Sequence, residues 1–143
     1  MDTYIRKATT EDAPIIASMA HALTDEIIDK TGARHFNVDI PTTTQLCRDL
    51  MEQGKYRVLL AVDRGTDTPI GFASLCESHA LYAEGTFGIV QEFYVRPNCR
   101  SRKVGSALLE KVAEMAKSIG WKRLELCTPP LPEFEKTIYF LCW

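Results

Sequence analysis

The chain has 143 residues, of which 45% are hydrophobic and 25% charged, with a formal net charge of −2. Those proportions belong to one soluble globular domain, 1–143, long enough to bury a core, and exclude a disordered or low-complexity chain. No apolar run approaches the roughly 20 residues needed to cross a bilayer, and the mild acidity argues against nucleic-acid binding across the whole surface.

Residues 3–9, TYIRKAT, alternate as a short strand would. Thr10, Glu11 and Asp12 then open a helix, with Pro14 tolerable in its first turn. Ile15, Ile16, Met19, Leu23, Ile27 and Ile28 recur at helical spacing and carry it to about Lys30. Residues 31–41 read as a loop, and 43–53 as a second helix closed by Gly54. Strands follow at 56–63 and 70–81, joined by the turn-rich 64–69, with a third strand at 86–95. A helix over 104–119 places Leu108, Val112, Met115 and Ile119 in one apolar row and stops at Gly120. Residues 121–128 read as a strand, 129–134 break regular structure, and 135–143 begin another helix or strand. The order β-α-α-β-β-β-α-β plus a stub predicts an α/β fold with a mixed, mostly antiparallel sheet. The final strand-helix-strand unit supplies one parallel pair.

The five cysteines, Cys47, Cys76, Cys99, Cys127 and Cys142, are dispersed, and the three histidines stand apart from one another. With no metal-ligand spacing and no apolar signal segment at the N-terminus, the expectation is reduced thiols, a cytoplasmic location and no metal.

The densest chemistry lies in VRPNCRSRKVGSALL, residues 95–109. A strand ends at a proline, and Arg96, Arg100, Arg102 and Lys103 crowd the loop that enters the next helix. Unpaired N–H groups and the positive end of the dipole make a helix N-terminus a site for phosphate. The same residues are also compatible with a solvated basic loop.

Val95, Pro97, Arg100, Gly105, Leu108 and Leu109 stand where the acyl-CoA-binding signature of the GNAT superfamily of N-acetyltransferases has its motif residues, and the chain resembles that family from residue 3 to about residue 140. The resemblance implies a GNAT-like sheet with helices on both faces, whose parallel strand pair splays at a bulge. It also implies acetyl-CoA as cosubstrate. The backbone of Phe93, Tyr94 and Val95 would pair with the pantetheine arm, with residues 124–128 as the other wall. Amides of Arg100, Ser101, Arg102, Lys103, Val104, Gly105 and Ser106 would take the pyrophosphate. Lys103 replaces the first motif glycine; the reading adopted is that its position needs no positive φ and that the lysine adds favourable charge.

The family often places a glutamate base in this strand, and Glu92 stands there among apolar neighbours that would raise its pKa. A strand N–H near Phe93 or Tyr94 would polarise the thioester oxygen. Leu141 occupies the place of the family's acid tyrosine. Tyr139 would face elsewhere on a helix, and Tyr82 and Tyr94 have less support, so no general acid is assigned. Cys99, among arginines, reads as an incidental loop thiol rather than a nucleophile, and Cys127 as buried structure. The first two helices would set specificity, with Asp25, Glu26, Asp29 and Asp39 suiting an amine and His35 and Phe36 lining the acceptor site.

Relative to the family the C-terminus reads as shortened. The strand over 123–128 would then expose an edge, which a second copy could cover as a homodimer. The function expected is direct acetyl transfer to a primary amine of a small molecule or peptide, with no nucleic-acid or membrane partner. The alternative is a noncatalytic acyl-CoA-binding or interaction module.

Overall fold

The computed structural model describes residues 2–32, 38–126 and 140–142. Six strands lie in the sheet in chain order: β1 (Thr3–Lys7), β2 (Arg57–Asp63), β3 (Thr68–Ala80), β4 (Gly85–Val95), β5 (Arg123–Leu126) and β6 (Phe140–Cys142). Every neighbouring pair is antiparallel except β4 and β5, which run parallel from Gly88↔Leu124 to Val90↔Leu126. Three helices complete the fold: α1 (Ala13–Thr31), α2 (Ile40–Glu52) and α3 (Val104–Ile119). The expected mixed α/β sheet with helices on both faces is what the chain forms.

Helix α1 is fastened where it starts. The Asp12 carboxylate accepts the Thr9 N–H at 2.8 Å and a forked pair of bonds from Arg6 at 2.8 and 2.9 Å, tying β1 to the helix entry. Gly32, at φ +69°, ends it and donates its N–H to the Ile28 carbonyl at 2.8 Å. Helix α2 begins three residues before the expected Thr43. Asp39 caps it by accepting the Thr42 N–H at 3.0 Å, and Pro41 sits in its first turn, where a missing N–H costs nothing.

The two faces of the sheet bury separate cores. Val58, Leu60, Val62, Phe72 and Tyr94 point toward α1 and α2, where they meet Ile16 and Met19. Leu59, Ala73, Leu75 and Val90 point the other way, onto Leu108, Val112 and Ala116 of α3. Trp121, expected on the strand, instead lies just ahead of β5, with its indole 1% exposed and Nε1–H donated to Glu77 at 2.8 Å. Its ring presses on Gly88, where an added Cβ would fall 2.3 Å from Trp121 Cε3.

The far edge departs from expectation. Phe140–Cys142 form a strand, not a helical continuation, and pair with β5 from Arg123↔Cys142 to Glu125↔Phe140. The β5 edge thus carries the chain's own β6 instead of standing open for a second copy. The helical geometry used to compare Leu141 with Tyr139 does not apply, and Tyr139, Cys127, His35 and Phe36 lie outside the described residues.

The Gly88–Trp121 contact leaves no room for a methyl group, and the indole is held by Glu77. Gly88→Ala is expected to cost about 2–3 kcal/mol, measured by urea unfolding, by overpacking the joint between β4 and β5.

Candidate active site

The register of β4 against β3 slips once. Leu75 pairs with Val90, but Ser74 pairs with Glu92, so Gln91 is an extra residue on β4. The bulge changes which face each side chain takes. Val90 and Glu92, two apart, would share a face in a regular strand. Here Val90 joins the α3 core while Glu92 lines a cavity on the α1–α2 face.

That cavity, about 290 Å³, is walled by Ile16 and Ala20 of α1, Leu46 and Leu50 of α2, and Phe72 of β3. Glu92 is its only charged lining residue among those described. The Ser74 hydroxyl, 1% exposed as a residue, donates to Glu92 Oε1 and accepts the Glu92 backbone N–H at 3.0 Å. Tyr56 lines the same cavity, and its hydroxyl favours the charged carboxylate. Burial raises the Glu92 pKa above the ordinary carboxylate value, and these two hydroxyls only partly oppose the shift. Burial also raises the Tyr56 pKa, with the Glu92 charge adding to it. Ser74 and Tyr56 were not singled out in the sequence. Both belong to strand-forming segments, and it is the register Val58↔Ser74↔Glu92 that brings them to the carboxylate.

The loop after β4 is the second feature. The first helical bond of α3 runs from Ala107 N–H to Lys103 O at 3.0 Å, and no side chain caps the helix. The N–H groups of Val104, Gly105 and Ser106 are therefore left without an intrahelical partner at the positive end of the dipole. The Val104 side chain, 2% exposed, packs with Ala61, Ile70, Val95 and Cys99 and seats the helix end. Gly105 leaves a gap toward β4, where a Cβ would stand 3.8 Å from the Phe93 ring. Ser101, Arg102 and Lys103 are exposed beside it. Bare amides, a vacant Cβ position and two cations fit a diphosphate.

Arg100 is committed elsewhere. Its Nε donates to Val95 O at 2.8 Å, and both terminal nitrogens reach the Glu26 carboxylate at 2.6 Å. The guanidinium holds Glu26 well below the usual carboxylate range, at about 2. With Phe93, Tyr94 and Val95, this pair lines a cleft of about 310 Å³ between α1 and β4. The structure thus brings the expected coenzyme-contacting backbone together with the loop, and adds an acidic partner from α1.

Other expectations resolve differently. Cys99, expected as an incidental loop thiol, is a core thiol, 3% exposed. Tyr82 is two-thirds exposed on the β3–β4 turn and donates to Glu125 at 3.0 Å; Tyr94 is buried against Phe72. Asp25 pairs with His21 at 3.1 Å, Glu26 with Arg100, and Asp39 caps α2. Asp25, Glu26, Asp29 and Asp39 are all absent from the lining of the Glu92 cavity.

Such a strand, basic loop and uncapped helix form an anion-accepting corner of a mixed α/β sheet. The model of the Acetyltransferase (GNAT) family matches residues 21–132, and the chain belongs to that family. Its members use acetyl-CoA as cosubstrate. An IAA acetyltransferase of Azospirillum brasilense is 30% identical over 88 residues, 62% of this chain and 55% of that protein. The chain therefore spans about half the length of that curated relative. Among solved structures, an integron cassette protein from the mobile metagenome of Cole Harbour Salt Marsh aligns with a TM-score of 0.72 and 22% identity, over 87% of this chain and 76% of that one. The ribosomal-protein-alanine N-acetyltransferase of Brucella melitensis biovar Abortus 2308 aligns at 0.72 and 18%, over 96% and 87%. An aminoglycoside acetyltransferase from an uncultured soil metagenomic sample aligns at 0.71 and 12%, over 94% and 83%. At these identities the structures share the fold.

Lys103, in place of the motif glycine, corrects the reading of that position. It sits at φ +63°, ψ 16°, in the left-handed region, two residues after Ser101 at φ +67°. An L-residue held there costs roughly 1–2 kcal/mol. Lys103→Gly is expected to raise stability by about 0.5–1 kcal/mol after glycine's greater unfolded-state entropy is subtracted, read as a higher midpoint in urea.

Proposed function

We propose that this protein transfers an acetyl group from acetyl-CoA directly to a primary amine of a small molecule or peptide, with Glu92 as general base. The observation that carries the reading is the half-buried carboxylate lining a mostly apolar cavity, on the strand that leads into the uncapped end of α3.

Acetyl-CoA supplies the acetyl carbon to which the amine nitrogen bonds as the carbon–sulfur bond breaks, and the coenzyme leaves as its thiolate, which takes a proton from solvent. The amides of Val104, Gly105 and Ser106, with Arg102 and Lys103, would hold the diphosphate, and the β4 backbone over Phe93, Tyr94 and Val95 would align the pantetheine arm. Val95 O already accepts from Arg100 and keeps its second lone pair for a ligand. Glu92 would accept the amine proton. Ser74 and Tyr56 would hold the carboxylate in one orientation and disperse its charge without removing its capacity as acceptor.

Below the raised pKa Glu92 is protonated and cannot serve; above it the carboxylate is present. The wild-type kcat/KM is therefore expected to rise with pH through a value above the ordinary carboxylate pKa of about 4.3. Glu92→Gln should flatten that limb and lower kcat about 100-fold or more, with acetyl-CoA affinity by calorimetry within twofold of wild type. An unchanged profile would show that another group takes the proton. Gly105→Val should weaken acetyl-CoA binding at least about tenfold by filling the gap before Phe93, with the unfolding midpoint nearly unchanged; equal affinity would remove the loop from the binding site.

A further inference from the structure

The lining of the Glu92 cavity narrows the acceptor. Its walls are mostly aliphatic or aromatic, with Ile16, Ala20, Leu46, Leu50 and Phe72, and uncharged Thr24, Thr43 and Cys47 complete them. The Ser74 hydroxyl is committed, since it donates to Glu92 Oε1 and accepts the Glu92 N–H, and Tyr56 lines the cavity beside them. No lysine, arginine or histidine lines the cavity among the described residues, and Glu92 is the only acid. Three acids of the surrounding helices are engaged outside it, Asp25 with His21, Glu26 with Arg100, and Asp39 as the α2 cap.

One carboxylate serves one amine. A second ammonium would lie against leucine and isoleucine side chains with, among the described lining residues, only neutral groups such as the Thr24 and Thr43 hydroxyls to replace its water and no second carboxylate to pair its charge, an expensive burial. A carboxylate beside the amine, as in a free amino acid, would face Glu92 with no cation among the described lining residues to receive it. An apolar body instead gains from every wall it covers, at roughly 25 cal/mol per Å². The cavity's volume of about 290 Å³ leaves room for one ring or a short branched chain and a connecting arm. Leu46, at the rim, is 54% exposed, an apolar surface left partly open to water.

We infer that the acceptor is a primary monoamine with a compact apolar body, alkyl or aryl, and that polyamines and free amino acids are rejected. The inference rests on the assignment of Glu92 and its cavity to the amine.

Calorimetric titration of the coenzyme-free protein at pH 8 with 2-phenylethylamine, phenylalanine and spermidine tests it without any need for turnover. 2-Phenylethylamine should bind at least about tenfold more tightly than the other two, and the same order should appear in kcat/KM from thiol release with acetyl-CoA. Leu46→Asp, at a half-exposed site that leaves the unfolding midpoint unchanged, should weaken 2-phenylethylamine and improve 1,4-diaminobutane about tenfold by adding a second carboxylate at the rim. Spermidine or phenylalanine binding as well as 2-phenylethylamine, or no binding of 2-phenylethylamine, overturns the inference. If the monoamine binds selectively but acetyl-CoA yields no acetylated product, the selectivity stands and acetyl transfer is the part that fails.

Discussion

The site depends on one supernumerary residue. A strand presents its side chains alternately to two faces, and both faces of this sheet are covered by helices, so neither tolerates a misplaced charge. Gln91 interrupts the alternation of β4 and leaves that of β3 intact over residues 72–75. Without that interruption Glu92 would follow Val90 into the apolar core under α3, among Leu108, Val112 and Ala116. With it, Glu92 shares a face with Tyr94 and reaches Ser74 and Tyr56. The bulge therefore decides both whether the carboxylate can be buried and which cavity it serves.

Along β4 the working parts follow one another within fifteen residues. Glu92 faces the cavity under α1 and α2, the backbone over 93–95 borders the neighbouring cleft, and the chain then turns through the basic loop into α3. The arrangement is costly in two places. Glu92 is desolvated, which two hydroxyls only partly offset, and Ser101 and Lys103 occupy the left-handed region within one short loop. Both costs fall beside the clefts, while the framework beneath is conservatively built, with alternating apolar strands, capped helices and the Gly88–Trp121 joint.

Much of this was legible from residue order. Period-two and period-3.6 patterns located five strands and three helices, and the helix over 104–119 was bounded correctly because Gly120 and the preceding loop mark both ends. The start of α2 was misplaced because Pro41 reads as a breaker, when Asp39 makes it a first-turn residue. Glu92 could be named from its place in the strand, but Ser74 and Tyr56 could not. Their role exists only through cross-strand register, and the resemblance implied a bulge without saying where it falls. The backbone strain at Lys103 was equally hidden, since a lysine gives no sign of a positive φ. Nor did the sequence show that Glu26, one of several acids on α1, would find Arg100 seventy-four positions away.

Helix α1 reaches both clefts. Ile16 and Ala20 form part of one wall of the Glu92 cavity, and two turns further on Glu26 holds Arg100 at the cleft beside β4. A helix of nineteen residues is a stiff rod. The Glu26–Arg100 ion pair therefore pins to the end of β4 the same rod that walls the other cavity, so the shape of each space is set partly by the other.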